Sequence, residues 1–297
     1  VMDRCRNEDP AHTMTRAAPA LDIVPRDLRF GVLENADRAW FGGDEMLSIV
    51  VDAFAVALPE GERFFIRSLK HFAADIPDEE IQAGIRGYAM LEAFNTREQE
   101  ACNAAVGKVG YDVDRMEDRT RRLLGNPRFG PVLRLFSTCA IEQATYGLSR
   151  FILKRPALMA RAAPAYRRLW QWHALEEIEH SSVALQVLRR APIGMPAWLR
   201  YVTRVAVLNV VFAQLTWLAI ANVMTMLRAT RGRVTARDLL RLAWVMLGRP
   251  GFLYAMVVPY LAFLRPGYAG GGAADAELLD RGRRILAQEM PAATAAA

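Results

Sequence analysis

At 297 residues, 53% of them hydrophobic, the chain is long enough to bury a large core and is neither a disordered nor a fibrous sequence. Its 38 Lys and Arg against 32 acidic residues leave a net charge of +6. With no zinc-finger or aromatic RNA-binding motif beside it, that balance points to anionic lipid and away from nucleic acid. Cys5, Cys102 and Cys139 form no CxxC pair, which argues against a disulfide framework and for a reducing, cytoplasmic setting.

Residues 1–25 hold no apolar run of signal-peptide length and read as a disordered leader, with His12 in it carrying no role. From there on strand alternation is scarce and helical periodicity prevails, so the predicted fold class is all-α. GDEMLSIVVDAFAVAL (43–58) is apolar on a broad face and opens on Asp44 and Glu45, acids that suit a helix N-terminus. PEGERFFIRSLKHFAADI follows with Pro59 in a first turn, and residues 77–110 run from Pro and acids to Gly as one long helix. RMEDRTRRLL is a short charged helix closed by Gly125, Asn126 and Pro127. PVLRLFSTCAIEQATYGLSRFILK (131–154) stops before Pro156, and a further helix is predicted from about Tyr166 to Arg190. Long helices with short connections, residues 26–195, predict an antiparallel bundle.

After Pro196 the character changes. Residues 205–227 hold no charge and are bounded by Arg204 and Arg228, a length able to span a bilayer, yet Asn209, Gln214, Thr216, Asn222 and Thr225 would need partners in lipid. Residues 196–266 are therefore read as a membrane-docking, monotopic helical segment on the cytoplasmic side. A true span over 205–227 is the second option, and a buried core helix is the plain alternative. Residues 267–297 read as a flexible joint, GYAGGGAADAE, before a last amphipathic helix.

The stretch with most chemistry is WQWHALEEIEH (170–180), which holds two of the four histidines in the chain. On a helix His173, Glu177 and His180 share a face, and Glu177 with His180 makes the Glu-x-x-His pair that carboxylate-bridged metal bundles project inward. Glu142, Glu92 and Glu62 each stand on an otherwise apolar stretch of another helix, where a carboxylate needs a cation or a hydrogen-bond partner. The plain alternative is an ion pair with one of the many arginines. Glu176 and Glu179 read as outward residues or as groups that hold a ligating imidazole, and His71 points about 180° away from Glu62. No GxSxG, Walker A or GxGxxG segment is present, and Cys102 and Cys139 read as inert core thiols.

GERFF (61–65), LEAFN (91–95), CNAAVGKVGYD (102–112), AIEQAT (140–145) and above all WHALEEIEH (172–180) together resemble the bacterial predicted metal-dependent hydrolases, over about residues 25–265. The resemblance implies a ferritin-like four-helix bundle with additional C-terminal apolar helices. Its metal ligands would be Glu62, Glu92, Asn95, Glu142, Glu177 and His180, with His173 and Glu176 as catalytic groups. It implies one or two ions per chain, iron with manganese or zinc as alternatives, and an apolar or lipid-like substrate turned over by oxidation or hydrolysis. The family's second helix reads Q-E-x-x-H with a further His one turn on, whereas this chain has Leu91, Glu92, Asn95 and Gln99. Neutral amides bind metal less well than imidazole. That departure leaves open a weakened second metal position, a single ion, or a degenerate site in a non-catalytic membrane-associated protein.

Overall fold

The computed structural model describes residues 23–127, 129–271 and 273–290; most of the predicted leader, with Cys5 and His12, lies outside them. The described residues fold as helices in the order α1 (Glu45–Ala55), α2 (Leu58–Ala73), α3 (Glu79–Lys108), α4 (Val113–Leu124), α5 (Pro131–Lys154), α6 (Pro156–Met159), α7 (Pro164–His180) and α8 (Val183–Arg190). Then come α9 (Ala197–Arg231), α10 (Ala236–Ala243), a π-helical turn (Trp244–Gly248), α11 (Phe252–Phe263) and α12 (Ala273–Glu289). Among the described residues there is no strand, only an isolated bridge between Phe41 and Ala162.

Local chemistry sets the helix starts. Asp44, Asp78 and Asp112 each cap a helix by accepting backbone N–H groups of its first turn, and Pro59, Pro131, Pro156 and Pro164 occupy first turns, where a missing N–H costs nothing. The single helix predicted from Tyr166 to Arg190 is interrupted at Ser181 and Ser182. Gly270, with φ +94°, lies so close to this turn that a Cβ there would stand 2.8 Å from Ser182 Cα. Residues 267–271, predicted as a joint, are tied down: Arg189 donates to the carbonyls of Gly267 and Tyr268, and the Tyr268 hydroxyl donates to Gln143.

Four long helices, α2, α3, α5 and α7, make a closed ring of contacts, with α2 on α3 and α5, and α7 on α5 and α3. Two large apolar clusters fill the ring and leave a seam between them. On α3 one holds Ile81, Ile85 and Tyr88 and the other Cys102, Ala105 and Val106; along α7 and α8 they hold Leu169 and Trp172 on one side and Val183 and Val187 on the other. Residues 92–99 of α3 and 173–180 of α7 fall in that seam, and polar side chains occupy it. Helix α9 lies along α1, α4 and α5, α11 packs on α5, and α12 packs on α7. Cys102 and Cys139 are buried, and burial holds both thiols protonated, as inert core groups.

One buried carboxylate lies apart from the seam. Asp52 accepts from Trp40 Nε1 at 3.0 Å beneath the Trp40–Tyr166 stack, whose centroids are 4.4 Å apart, and burial pushes its pKa up to about 7. The fold thus binds a proton that the unfolded chain has already lost, so this group's contribution falls as pH rises from about 4 to about 7, by at most about 4 kcal/mol. The Asp52→Asn protein keeps an acceptor for Trp40 but cannot ionise. Urea unfolding should find it close to wild type near pH 4 and clearly more stable at pH 8; equal stabilities at pH 8 would refute the assignment.

Candidate metal centre

Regular spacing delivers the polar residues of the seam. On α3, Tyr88, Glu92, Asn95 and Gln99 recur at steps of four, three and four, and on α5 Thr138, Glu142, Thr145 and Ser149 do the same, so each set forms one inward stripe. On α7 His173, Glu177 and His180 repeat the pattern. All of these residues are buried, as is Glu62 on α2. The ring therefore receives Glu62 and Glu142 as lone carboxylates from two helices, Glu92-x-x-Asn95 from a third and Glu177-x-x-His180 from the fourth.

The centre of the group is His180. Its Nε2 lies 3.3 Å from Glu92 Oε1, 3.3 Å from Glu142 Oε2 and 3.5 Å from Glu177 Oε2, with both residues of each pair at most 5% exposed. Glu92, Glu177 and His180 can each direct one ligand atom to a common point, those atoms lying within 4.8 Å of one another. Glu142 also accepts from the Tyr88 hydroxyl, and the Tyr88 ring meets the His180 ring edge to face at 5.0 Å. His173 Nε2 is 3.4 Å from Glu177 Oε1, the oxygen that does not face His180, and the Trp170 ring packs on His173. Thr96 lies beside Glu62 and Thr145 beside Glu177.

Electrostatically this is an expensive arrangement without a cation. Burial pushes Glu62 up to about 8, Glu92 well above the usual carboxylate range and Glu142 upward as well. Burial also opposes charge on His180, yet Glu142 and Glu177 outweigh it and hold the imidazolium well above its usual pKa. Glu177 answers from the other side: burial raises it, but His180 more than compensates and keeps it ionised. Both oxygens of Glu62 and Glu92, both amide atoms of Asn95 and Gln99, and Nδ1 of His180 are buried with no hydrogen-bond partner. Native interiors rarely leave so many polar atoms unmatched in one place. Oxygen-rich donors with one imidazole, convergent and with many atoms lacking a hydrogen-bond partner, fit a divalent metal ion.

The candidate residues thus divide. Glu92, Glu142, Glu177 and His180 come together, Glu62 lies near enough to feel the charges of Glu177 and His180, and His173 reaches the group through Glu177; Asn95 is buried on the same stripe of α3, one turn after Glu92. Glu176, equally buried, faces the guanidinium of Arg26 at 3.6 Å, and that group also makes a two-pronged pair with Glu179 at 2.6 and 3.0 Å. Both Glu176 oxygens are buried without a hydrogen-bond partner, and the Glu179 carboxylate further binds Arg283 of α12. His71 is exposed and packs edge-on against Phe72, away from the centre. Tyr88 and Thr145 were not singled out from sequence, although their places four residues before Glu92 and three after Glu142 put them on the ligand faces.

A family model described as a predicted metal-dependent hydrolase matches residues 24–270. No curated protein and no solved structure matches the chain.

Proposed function

We propose that this chain, which belongs to the predicted metal-dependent hydrolase family, holds a pair of divalent ions in its helical bundle and hydrolyses a lipid-like ester at a membrane surface. The observation that carries the reading is the convergence of Glu62, Glu92, Glu142, Glu177 and His180 from four helices with so many oxygens unmatched. Two lone glutamates plus two Glu-x-x-His-type pairs is the ligand pattern of ferritin-like carboxylate bundles, here with Asn95 in place of one histidine. Four carboxylates bring up to four negative charges, which two divalent ions neutralise; a single ion would leave two protons to be held. Iron, manganese and zinc all accept such a mixed oxygen and nitrogen set.

A bound metal supplies Lewis-acid polarisation and a water of lowered pKa. This chain's own residues do the rest. His173 orients Glu177 through its second oxygen, as outer partners of ligands commonly do. Tyr88 holds one oxygen of Glu142 so that the other faces the centre. The apolar clusters on either side exclude bulk water. The same donor set also suits oxygen-dependent chemistry at iron, which is the second reading.

Membrane docking is supported by where the exposed apolar residues lie. Among the described residues, the large exposed hydrophobic side chains other than Val24 and Met90 fall between residues 198 and 261, among them Trp198, Trp217, Leu240, Trp244, Tyr254 and Val258. Exposed Arg233, Arg237 and Arg249 border them, as suits anionic headgroups. Helix α9 is long and apolar enough to cross a membrane, and α10 with α11 passes that test only as a pair bent by 44°. Yet two polar groups of α9 find partners in the bundle: Arg119 donates to Asn222 and Thr225, and Asn222 donates to the Ala53 carbonyl. A crossing α9 would draw Arg119 of α4 to bilayer depth, so the monotopic arrangement is preferred.

The test is hydrolysis of a single-chain lipid ester in anionic vesicles by metal-loaded protein. Chelation should abolish the rate. Leu240→Glu with Trp244→Glu should cut it by about tenfold or more while metal content and cleavage of a soluble short-chain ester persist. Iron-dependent oxygen uptake without ester cleavage would transfer the assignment to the second reading, and vesicle activity unchanged by the two substitutions would sink the docking face.

A further inference from the structure

An open-mouthed cavity of about 690 Å³ lies between the start of α1, the junction of α5 with α6 and the bend that joins α10 to α11. Its volume is that of a small-molecule site. None of the candidate metal ligands lines it, so it is a separate feature of the fold.

Its charge is one-sided. Arg155, Arg161, Arg241 and Arg249 line it against a single carboxylate, Asp44. Two of these guanidiniums are fixed by the protein. Arg155 donates to the Pro250 carbonyl at 2.5 Å and lies over the Phe151 ring, 4.3 Å from its centroid, and Arg241 pairs with Asp44 at 2.6 Å. The guanidiniums of Arg161 and Arg249 meet no carboxylate and no hydrogen-bond acceptor among the described residues. Cations gathered around one opening repel one another, and an anion with several oxygens relieves that repulsion. The planar guanidinium fork matches phosphate oxygens in particular.

The position of the cavity indicates where such a phosphate comes from. Trp244 and Tyr254 also line it and are exposed, at 56% and 65%. Leu240, four residues before Trp244, and Val258, four after Tyr254, extend the exposed apolar surface from there. Tryptophan and tyrosine settle at the level of lipid headgroups, with aliphatic neighbours deeper. A face inserted in that way brings the four arginines to the depth of the headgroup phosphates.

We propose that this cavity binds the phosphate headgroup of an anionic phospholipid, clamped between Arg155 and Arg161 of the bundle and Arg241 and Arg249 of the α10–α11 bend. The proposal rests on the membrane-docking reading above for the source of the phosphate and is independent of the metal centre.

Two measurements on the full chain test the site and the docking separately. In the first, dihexanoyl phosphatidylglycerol, kept below its micelle-forming concentration, is titrated by calorimetry against inorganic phosphate as the control. One lipid should bind per chain, and inorganic phosphate at least about tenfold more weakly. Arg161→Gln with Arg249→Gln breaks no bond of the fold and should weaken lipid binding about tenfold or more. Arg233→Gln with Arg237→Gln makes the same change of charge outside the cavity and should leave it within about twofold. In the second, the protein is sedimented with vesicles of phosphatidylcholine alone or mixed with phosphatidylglycerol, where the mixed vesicles should bind it and the cavity pair should lose more affinity than the outer pair. Inorganic phosphate bound as tightly as the lipid would assign the cavity to a soluble anion and overturn the proposal, as would equal losses from the two pairs. Lipid binding in the cavity by a protein that ignores both kinds of vesicle upholds the headgroup site and defeats the docking reading instead.

Discussion

The His180→Ala protein, purified without chelator, is expected to carry less than about a tenth of the metal found in wild type, with its helical content unchanged. His180 is the nitrogen donor at the centre of the group, within 3.5 Å of Glu92, Glu142 and Glu177, and no other imidazole stands in for it because His173 faces the far oxygen of Glu177. Loss even of an outer partner costs metal sites about 10- to 100-fold in affinity, so loss of this ligand should cost at least as much. The companion variant asks what Asn95 does. Both its amide atoms are buried and unpartnered, and it stands to Glu92 as His180 stands to Glu177. If two ions bind and the Asn95 side holds its ion weakly, Asn95→His should raise metal content from a substoichiometric value toward about two per chain. A wild-type protein without metal that gains it only through Asn95→His would mean that the site has degenerated; retention of full metal by His180→Ala would mean that the ligand set is wrong.

Stripping the metal should destabilise the protein strongly, and removing a carboxylate should then rescue it. A ligand present at about a thousand times its dissociation constant adds about 4 kcal/mol, so chelation should lower Tm by roughly 8 to 16 °C. Without the ion Glu62 and Glu92 are held protonated at pH 7, because burial raises their pKa values, while His180 keeps Glu177 ionised. Protonating a glutamate that would be ionised in the unfolded chain costs about 3 kcal/mol at pH 7. Glu92→Gln avoids that cost. It should therefore melt higher than metal-free wild type, yet gain nothing from added metal. A purely structural role for Glu92 predicts the opposite sign, with the variant less stable under both conditions, and thermal melts with and without chelator separate the two.

The limits of α5 and α3 were readable almost to the residue, because Pro131, Pro156, Pro77 and Gly110 punctuate strong helical periods. The break after His180 was not. Ser181 and Ser182 are weak local breakers, and the turn there is packed against Gly270, nearly ninety residues further on. The candidate ligands were legible as buried polar groups because a glutamate or histidine on an apolar face is conspicuous in sequence. Tyr88 was not conspicuous, since a tyrosine fits any helix core, and its bond to Glu142 depends on how α3 is set against α5. Arg26 and Glu176 meet across 150 residues, so whether that glutamate faces the metal or an arginine was beyond local pattern.

The order in which the chain is made gives the contact of α12 with α7 a further meaning. All the candidate ligands have left the ribosomal peptidyl-transfer centre by residue 180, but Gly270 and the helix beyond it, which cover the flank of α7 at Leu175 and Ile178, come about ninety residues later. At about 5 to 20 residues per second that delay is roughly 5 to 18 seconds. During it the helix that carries His180 lacks its outer cover, and the newborn chain offers its ligands more openly than the finished protein does. Metal supplied during translation is therefore expected to load the protein more completely than metal added to the purified chain, which metal content per chain after the two treatments would check.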